Sequence, residues 1–184
     1  MAIATHVKLN YDDLQLFPND GKRHELIDGD HIMSPSPKTH HQTVALNLAA
    51  MFLAFVRKHK LGRVFAAPID VVFSEWDVVV PDIVFVARTR IRIITEAHIQ
   101  GVPDLVIEIL SPSTADMDRR TKFKLYEKYG VREYWIIDPD DESVEVFVLR
   151  EQGYKLLKRF ACGQKAHSEV LTGFTCAVDD IFEA

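Results

Sequence analysis

Apolar residues along this chain either run unbroken for the length of a strand or recur at helical spacing, and turn residues punctuate the two patterns. From about 40 to 59, Val44, Leu48, Met51, Phe52, Phe55 and Val56 recur at three and four residues, which predicts an amphipathic helix with one core face. Gly62 follows at the expected stop. A second helix is predicted from about 115 to 129, entered after Ser111-Pro112-Ser113-Thr114 and ended at Gly130. A short helix is predicted over 11–17. Residues 24–27 and 30–33 flank Asp28-Gly29, the signature of a β-hairpin. Strands are predicted at roughly 63–67, 69–74, 78–86 and 104–110, then 132–138, 143–149 and 154–160, with turns at Asp140-Asp141 and Gln152-Gly153 and a short closing segment over 179–182. Together these make a mixed sheet with helices, α/β or α+β. No repeat or linker divides the 184 residues, so one domain over 1–184 is expected.

Two of the apolar runs contain carboxylates. Asp82 follows Pro81 between Val78-Val79-Val80 and Ile83-Val84-Phe85-Val86; Glu108 lies in the middle of Leu105-Val106-Ile107-Glu108-Ile109-Leu110. A buried carboxylate costs several kcal/mol unless a cation, a donor or a metal compensates it. Alternate strand residues share a face, so Asp104, Val106, Glu108 and Leu110 lie on one side. Asp104 stands at the strand start, where solvent or a helix N-terminus can satisfy it. Glu108 has no such outlet: it is either half of a buried ion pair or a metal ligand. Asp82 divides between the same two readings, and pairing with Glu108 decides it.

The second predicted helix supplies a cation. At ~100° per residue, Asp118, Lys122, Leu125, Tyr126 and Tyr129 share a face. The apolar members of that stripe face the core, so Lys122 does as well, while Lys124 is solvated. Two carboxylates and a lysine around one point form a phosphodiester-cleaving constellation. Asp82 and Glu108 would hold Mg²⁺, with Mn²⁺ as a substitute, and Lys122 would serve the attacking water and the charge building on the phosphate. Asp118 could pair with Lys122, but is read here as supporting the first turn of the helix.

These stretches resemble a known group. His24-Glu25-Leu26-Ile27-Asp28-Gly29, Val80-Pro81-Asp82, the run from Pro103 through Thr114, Lys122 through Tyr126, and the run from Tyr129 through Pro139 are similar to the Uma-two family of restriction-type endonucleases, within the PD-(D/E)XK nuclease superfamily. The resemblance covers about 24 to 150. It implies a restriction-endonuclease-like fold, a central mixed β-sheet flanked by helices. It also implies DNA as substrate and a homodimer, since cutting a duplex needs two sites. The superfamily pattern wants Glu-x-Lys, whereas this chain has Glu108-Ile109-Leu110. In the family the lysine comes from the following helix, and the matching position is Lys122. Glu25 matches a family position; from the sequence alone it is equally an exposed hairpin charge or an auxiliary acid, and the resemblance favours the acid.

Other features change the picture less. Net charge is −5, which argues against bulk attraction to nucleic acid but not against a local basic patch. Arg88, Arg90 and Arg92 follow the Asp82 strand and are candidate phosphate contacts. Arg57, Lys58, Lys60 and Arg63 read as a solvated helix end. His40-His41 point in different directions on a helix, so they form no two-ligand face; one is expected to cap and the other to be solvated, the alternative being that one lines the mouth of the site. Cys162 and Cys176 have no metal-site spacing and read as reduced thiols. The N-terminal residues show no signal-peptide pattern and no run approaches the ~20 apolar residues of a membrane span, so a cytoplasmic protein is expected. No phosphate-binding glycine loop or nucleophile-elbow motif is present. The second functional reading is a catalytically silent binding or assembly module, with Asp82, Glu108 and Lys122 as a structural ion-pair network.

Overall fold

The computed structural model describes residues 7–183, so most of the N-terminal segment read for a leader lies outside the described residues. The first helix, α1 (Tyr11–Gln15), starts at Asn10, whose side chain accepts from the Asp13 backbone while Asp13 accepts from the Asn10 backbone, a reciprocal capping box. Strands β1 (Arg23–Ile27) and β2 (Asp30–Ser34) form the expected hairpin. Asp28 and Gly29 both take positive φ, as a two-residue turn of this hand requires.

The long helix α2 (Thr39–His59) ends at Lys60 in the left-handed region, not at Gly62. Gly62 instead opens β3 (Gly62–Ala66), where an added Cβ would lie 2.1 Å from the Val86 carbonyl oxygen. Its role is close backbone approach rather than helix termination. Of the strand expected over 69–74 only β4 (Val71–Val72) forms. The strand expected over 78–86 is split into β5 (Val78–Val79) and β6 (Ile83–Ala87). Pro81 lies in the gap and has no N–H to give a ladder. A 3₁₀ turn (Arg88–Ile93) and β7 (Ile99–Gln100) follow, neither visible in the pattern.

Strand β8 (Leu105–Ile109) leads into the second helix, which begins with a π-helical segment (Met117–Lys122) and continues as α3 (Phe123–Tyr129) to Gly130 at φ 81°. Then come β9 (Glu133–Asp138), β10 (Ser143–Arg150) and β11 (Gly153–Ala161), a small pair β12 (Lys165–His167) and β13 (Thr175–Ala177), and α4 (Val178–Phe182).

The central sheet is six-stranded, in the order β11-β10-β9-β8-β6-β3, with β8 and β9 parallel and the other pairs antiparallel. The parallel pair is the one joined through the π-helical segment and α3, because parallel neighbours need a crossover. A five-stranded sheet, β2-β1-β5-β4-β7, stands beside it. Val44, Leu48, Phe52 and Val56 of α2 pack with Leu105, Ile107, Ile109, Trp135 and Ile137. Leu125 and Tyr126 pack with Val84, Val86, Val106, Tyr134 and Ile136, the alternate residues of the same strands. The architecture is therefore mixed α and β, a central mixed sheet with helices on both faces. Among the described residues no helix is long and apolar enough to cross a membrane. Cys162 and Cys176 are both free.

Candidate active site

Antiparallel pairing of β6 with β8 sets Ile83 opposite Ile107 and Val84 opposite Val106. One step further along that register, Asp82 comes opposite Glu108. Asp82 sits on the bend just before β6 rather than within a strand. Lys122 arrives from the π-helical segment. Its Nζ lies 3.1 Å from Glu108 Oε1, 2.9 Å from Glu25 Oε1 and 3.8 Å from Asp118 Oδ1. Glu25, carried by β1, also accepts the Val80 N–H at 2.7 Å, so it ties the smaller sheet to the centre. The Tyr126 hydroxyl donates to Glu108 Oε1 at 2.6 Å. Each of the four carboxylates, Glu25, Asp82, Glu108 and Asp118, is no more than 3% exposed, and Lys122 is 5% exposed.

Asp82 has its own set of partners. Arg23 Nη1 donates to Oδ1 at 2.6 Å, and the Ile109 N–H donates to Oδ2 at 2.8 Å. His41, from the first turn of α2, places Nε2 3.2 Å from Asp82 Oδ2 and 3.1 Å from the Ile109 carbonyl oxygen. Both are acceptors, so Nε2 carries a hydrogen. The other ring nitrogen, Nδ1, is buried without a partner.

Charge decides what this arrangement can hold. Four buried carboxylates face two permanent cations, Lys122 and Arg23. Burial pushes the Glu108 carboxyl up to about 8; Lys122 opposes this, while Asp118, Asp82 and Glu25 add to it. Burial likewise pushes Asp118 up to about 6 against the pull of Lys122. Asp82 moves the other way: burial is outweighed by the His41 hydrogen bond and the Arg23 charge, which hold it below the usual carboxylate range. Burial would lower the Lys122 ammonium, but Glu108, Glu25 and Asp118 hold it above its ordinary value. The centre is thus short of positive charge, and protons or a further cation can make up the difference.

The oxygen donors suit a hard cation. Mg²⁺ habitually takes one or two carboxylates and keeps waters in its other positions. Asp82 and Glu108 both line a cavity of about 350 Å³, and that arrangement matches the habit. Among the described residues no three His, Cys, Asp or Glu side chains surround one metal position, and both Asp82 oxygens already have partners in Arg23, the Ile109 N–H and His41. The cavity walls are two proline-containing loops, Ser34-Pro35-Ser36-Pro37 and Ser111-Pro112-Ser113-Thr114. Leu110 also lines the cavity, at the position where the superfamily pattern has lysine.

The residues singled out from the sequence separate into two places. Glu25, Asp82, Glu108 and Lys122 come together. Arg88, Arg90 and Arg92 do not: they follow the far end of β6, away from Asp82, and Arg90 binds Asp104 at 3.2 Å and the Val102 carbonyl at 2.6 Å. Asp104 is fully buried rather than satisfied by solvent or a helix N-terminus. It accepts the Ala87 N–H at 2.8 Å and meets Arg132 at 3.4 Å as well as Arg90. Asp118 is a fourth acid of the centre, not a helix-turn support alone. His41 neither caps nor is solvated.

Sequence reasoning passed over Arg23 and took Tyr126 for core alone. The signals were present. Arg23 lies two residues from Glu25 on a strand, hence on its face, and His41 falls three before Val44 on the apolar stripe of α2.

Residues 10–179 match the Uma2 family model, described as "Putative restriction endonuclease". A crystal structure described as "a putative nuclease belonging to DUF820", from Anabaena variabilis ATCC 29413, is similar with a TM-score of 0.78 and 22% sequence identity, covering 95% of this chain and 97% of that one. At that identity the likeness speaks for the fold. No curated protein matches the chain.

Proposed function

We infer that this chain, which belongs to the Uma2 family, is a metal-dependent nuclease that hydrolyses the phosphodiester bonds of DNA. The observation that carries this reading is the convergence of Asp82, Glu108 and Lys122 at one cavity from three separate stretches of chain. The family's description and that of the structural neighbour favour the same class.

Asp82 and Glu108 would hold Mg²⁺, which when bound supplies Lewis-acid polarisation of the phosphate and a more acidic water. Arg23 and His41 keep Asp82 ionised and fixed in direction. Tyr126 fixes Glu108. Lys122 orients the attacking water and offsets charge that develops on the phosphate, with its ammonium held in place by Glu25 and Asp118. The two Ser-Pro loops wall the approach to these groups. On a duplex, a homodimer would bring one centre to each strand.

The test is direct. Purified protein incubated with DNA and Mg²⁺ or Mn²⁺ should nick or cut it, and calorimetry should register metal binding. Intact DNA together with no heat of metal binding would sink the reading.

One observation favours the second reading, a silent structural network: Lys122 already meets three carboxylates. Thermal stability separates the two. A site that binds Mg²⁺ gains stability as the ion is added, whereas a closed network is indifferent to it.

A further inference from the structure

We propose that the cavity admits one unpaired nucleotide at a time, so that single-stranded DNA is acted on in preference to the paired duplex, an inference that rests on the nuclease reading and narrows it.

Depth sets the first constraint. Glu25, Asp82, Glu108, Asp118 and Lys122 all line the cavity, yet none is more than 5% exposed. They form its floor, not a surface on which a ligand could rest. A phosphate that reaches Asp82, Glu108 and Lys122 must therefore enter the cavity and bring its sugar with it. The volume, about 350 Å³, lies at the low end of the range in which pockets enclose a small ligand, roughly 300–1,000 Å³. One nucleotide is a ligand of that class. A base pair with both of its backbones is not.

The walls set the second constraint. Pro35, Pro37, Pro112 and Pro139 line the cavity together with Leu110. The proline rings fix their own φ, so these walls are stiff as well as apolar. Pro35 and Pro112 are exposed, with their rings open to a ligand. Apolar side chains of this kind take the face of a base, which an unpaired nucleotide offers and a stacked pair conceals.

Charge agrees with both. Among the described residues, the arginines and lysines lining the cavity are Arg23, Lys38 and Lys122. Arg23 and Lys122 already face carboxylates, which leaves Lys38. Duplex binding draws on many phosphate contacts at once. A chain of net charge −5 with one such lysine at this cavity gains more from a base than from a row of phosphates. To use a duplex, the protein would have to extrude a nucleotide from its stack, which costs least where the strand is already single. A single strand also needs only one centre, so this use of the site asks nothing of a second copy.

The test compares a labelled single strand with a duplex of the same strand whose ends are closed by hairpins, using the full-length protein. Without metal, fluorescence anisotropy should show the single strand binding about tenfold or more tighter. With Mg²⁺ or Mn²⁺ it should be cut faster by at least that factor. A single strand with one abasic position keeps every phosphate, and cleavage beside that position should fall about tenfold. Pro35→Ala combined with Pro112→Ala removes two exposed rings and should weaken single-strand binding about threefold or more, with little change in melting temperature.

The proposal fails if neither form binds, if the duplex is bound or cut as well as the single strand, or if the abasic position and the proline variant change nothing. Failure of the nuclease reading looks different: the single strand is bound in preference and depends on the proline rings, yet neither form is cut with Mg²⁺ or Mn²⁺.

Discussion

Asp104 and Glu108 stand at opposite ends of the same stretch of chain, on the same side of it, and both are buried. Around Asp104 one carboxylate meets two guanidinium groups and a backbone N–H. Around Glu108 four carboxylates meet one ammonium and one guanidinium. The first arrangement leaves no anion short of a partner, since a single carboxylate meets two cations. The second is left negative, and burial, with the neighbouring carboxylates adding to it, pushes Glu108 up to about 8. Burial of a charge is thus no guide to function by itself. The balance of charge around it is, because stable folds close such balances while binding sites leave them open.

The largest expected effect tests the open end. Lys122→Met removes the ammonium from three buried carboxylates and should cost about 3–5 kcal/mol in chemical denaturation, enough to endanger folding. Loss of activity in that variant therefore cannot separate catalysis from structure. Glu108→Gln can. The glutamine imitates the protonated form of the acid that burial favours, so the metal-free melting temperature should hold. Cleavage should fall at least about a hundredfold, and the stabilisation by Mg²⁺ should shrink. A variant that melts much earlier without metal would make Glu108 a structural anion.

Next comes the closed end. Asp104→Asn deprives the Ala87 N–H and two arginines of their carboxylate and should cost about 1–3 kcal/mol, with cleavage and the response to Mg²⁺ unchanged. A lost metal response there would erase the distinction between the two ends.

The smallest effect is in pH. Glu108 and Asp118 have folded values raised to about 8 and about 6 above ordinary values of 4.5 and 3.8. Within those windows the folded protein holds protons that the unfolded chain has released. Stability of the metal-free protein should therefore fall as pH rises from about 4 to 8, at no more than about 1.4 kcal/mol per pH unit for each proton. Mg²⁺ should flatten that slope, whereas Asp104→Asn should leave it in place. A melting temperature that rises with pH across this range would contradict the charge deficit.

The sequence made the open end more legible than its surroundings. A glutamate in the middle of an apolar strand, and a lysine in phase with Leu125 and Tyr126, are local signals. Pairing Asp82 with Glu108 needed only the assumption of neighbouring strands. Arg23 and His41 were harder, because their partner Asp82 is 59 and 41 residues away and no local pattern points across that distance. Asp104 was half legible: its place at the strand start showed, but Arg90 comes from a 3₁₀ turn that periodicity does not register, and Arg132, at the start of the strand predicted over 132–138, carries no local sign of its partner. Gly62 was misjudged for a related reason. A close approach between backbones leaves no trace in one strand alone.

The π-helical segment Met117–Lys122 bears on Leu110. A π turn is an α-helix that has taken up one extra residue, and it resets the phase of whatever lies before it. The ammonium of this centre is consequently set by the length of a helix and not by the alternation of a strand. Strand alternation allows only two directions, in or out. Helix phase moves in steps of about 100° for each residue gained or lost. With its cation carried on the helix, this centre draws its ammonium from Lys122 while position 110 holds an apolar leucine. Shortening the segment by one residue should swing Lys122 out of the cavity while leaving the sheet beneath it intact.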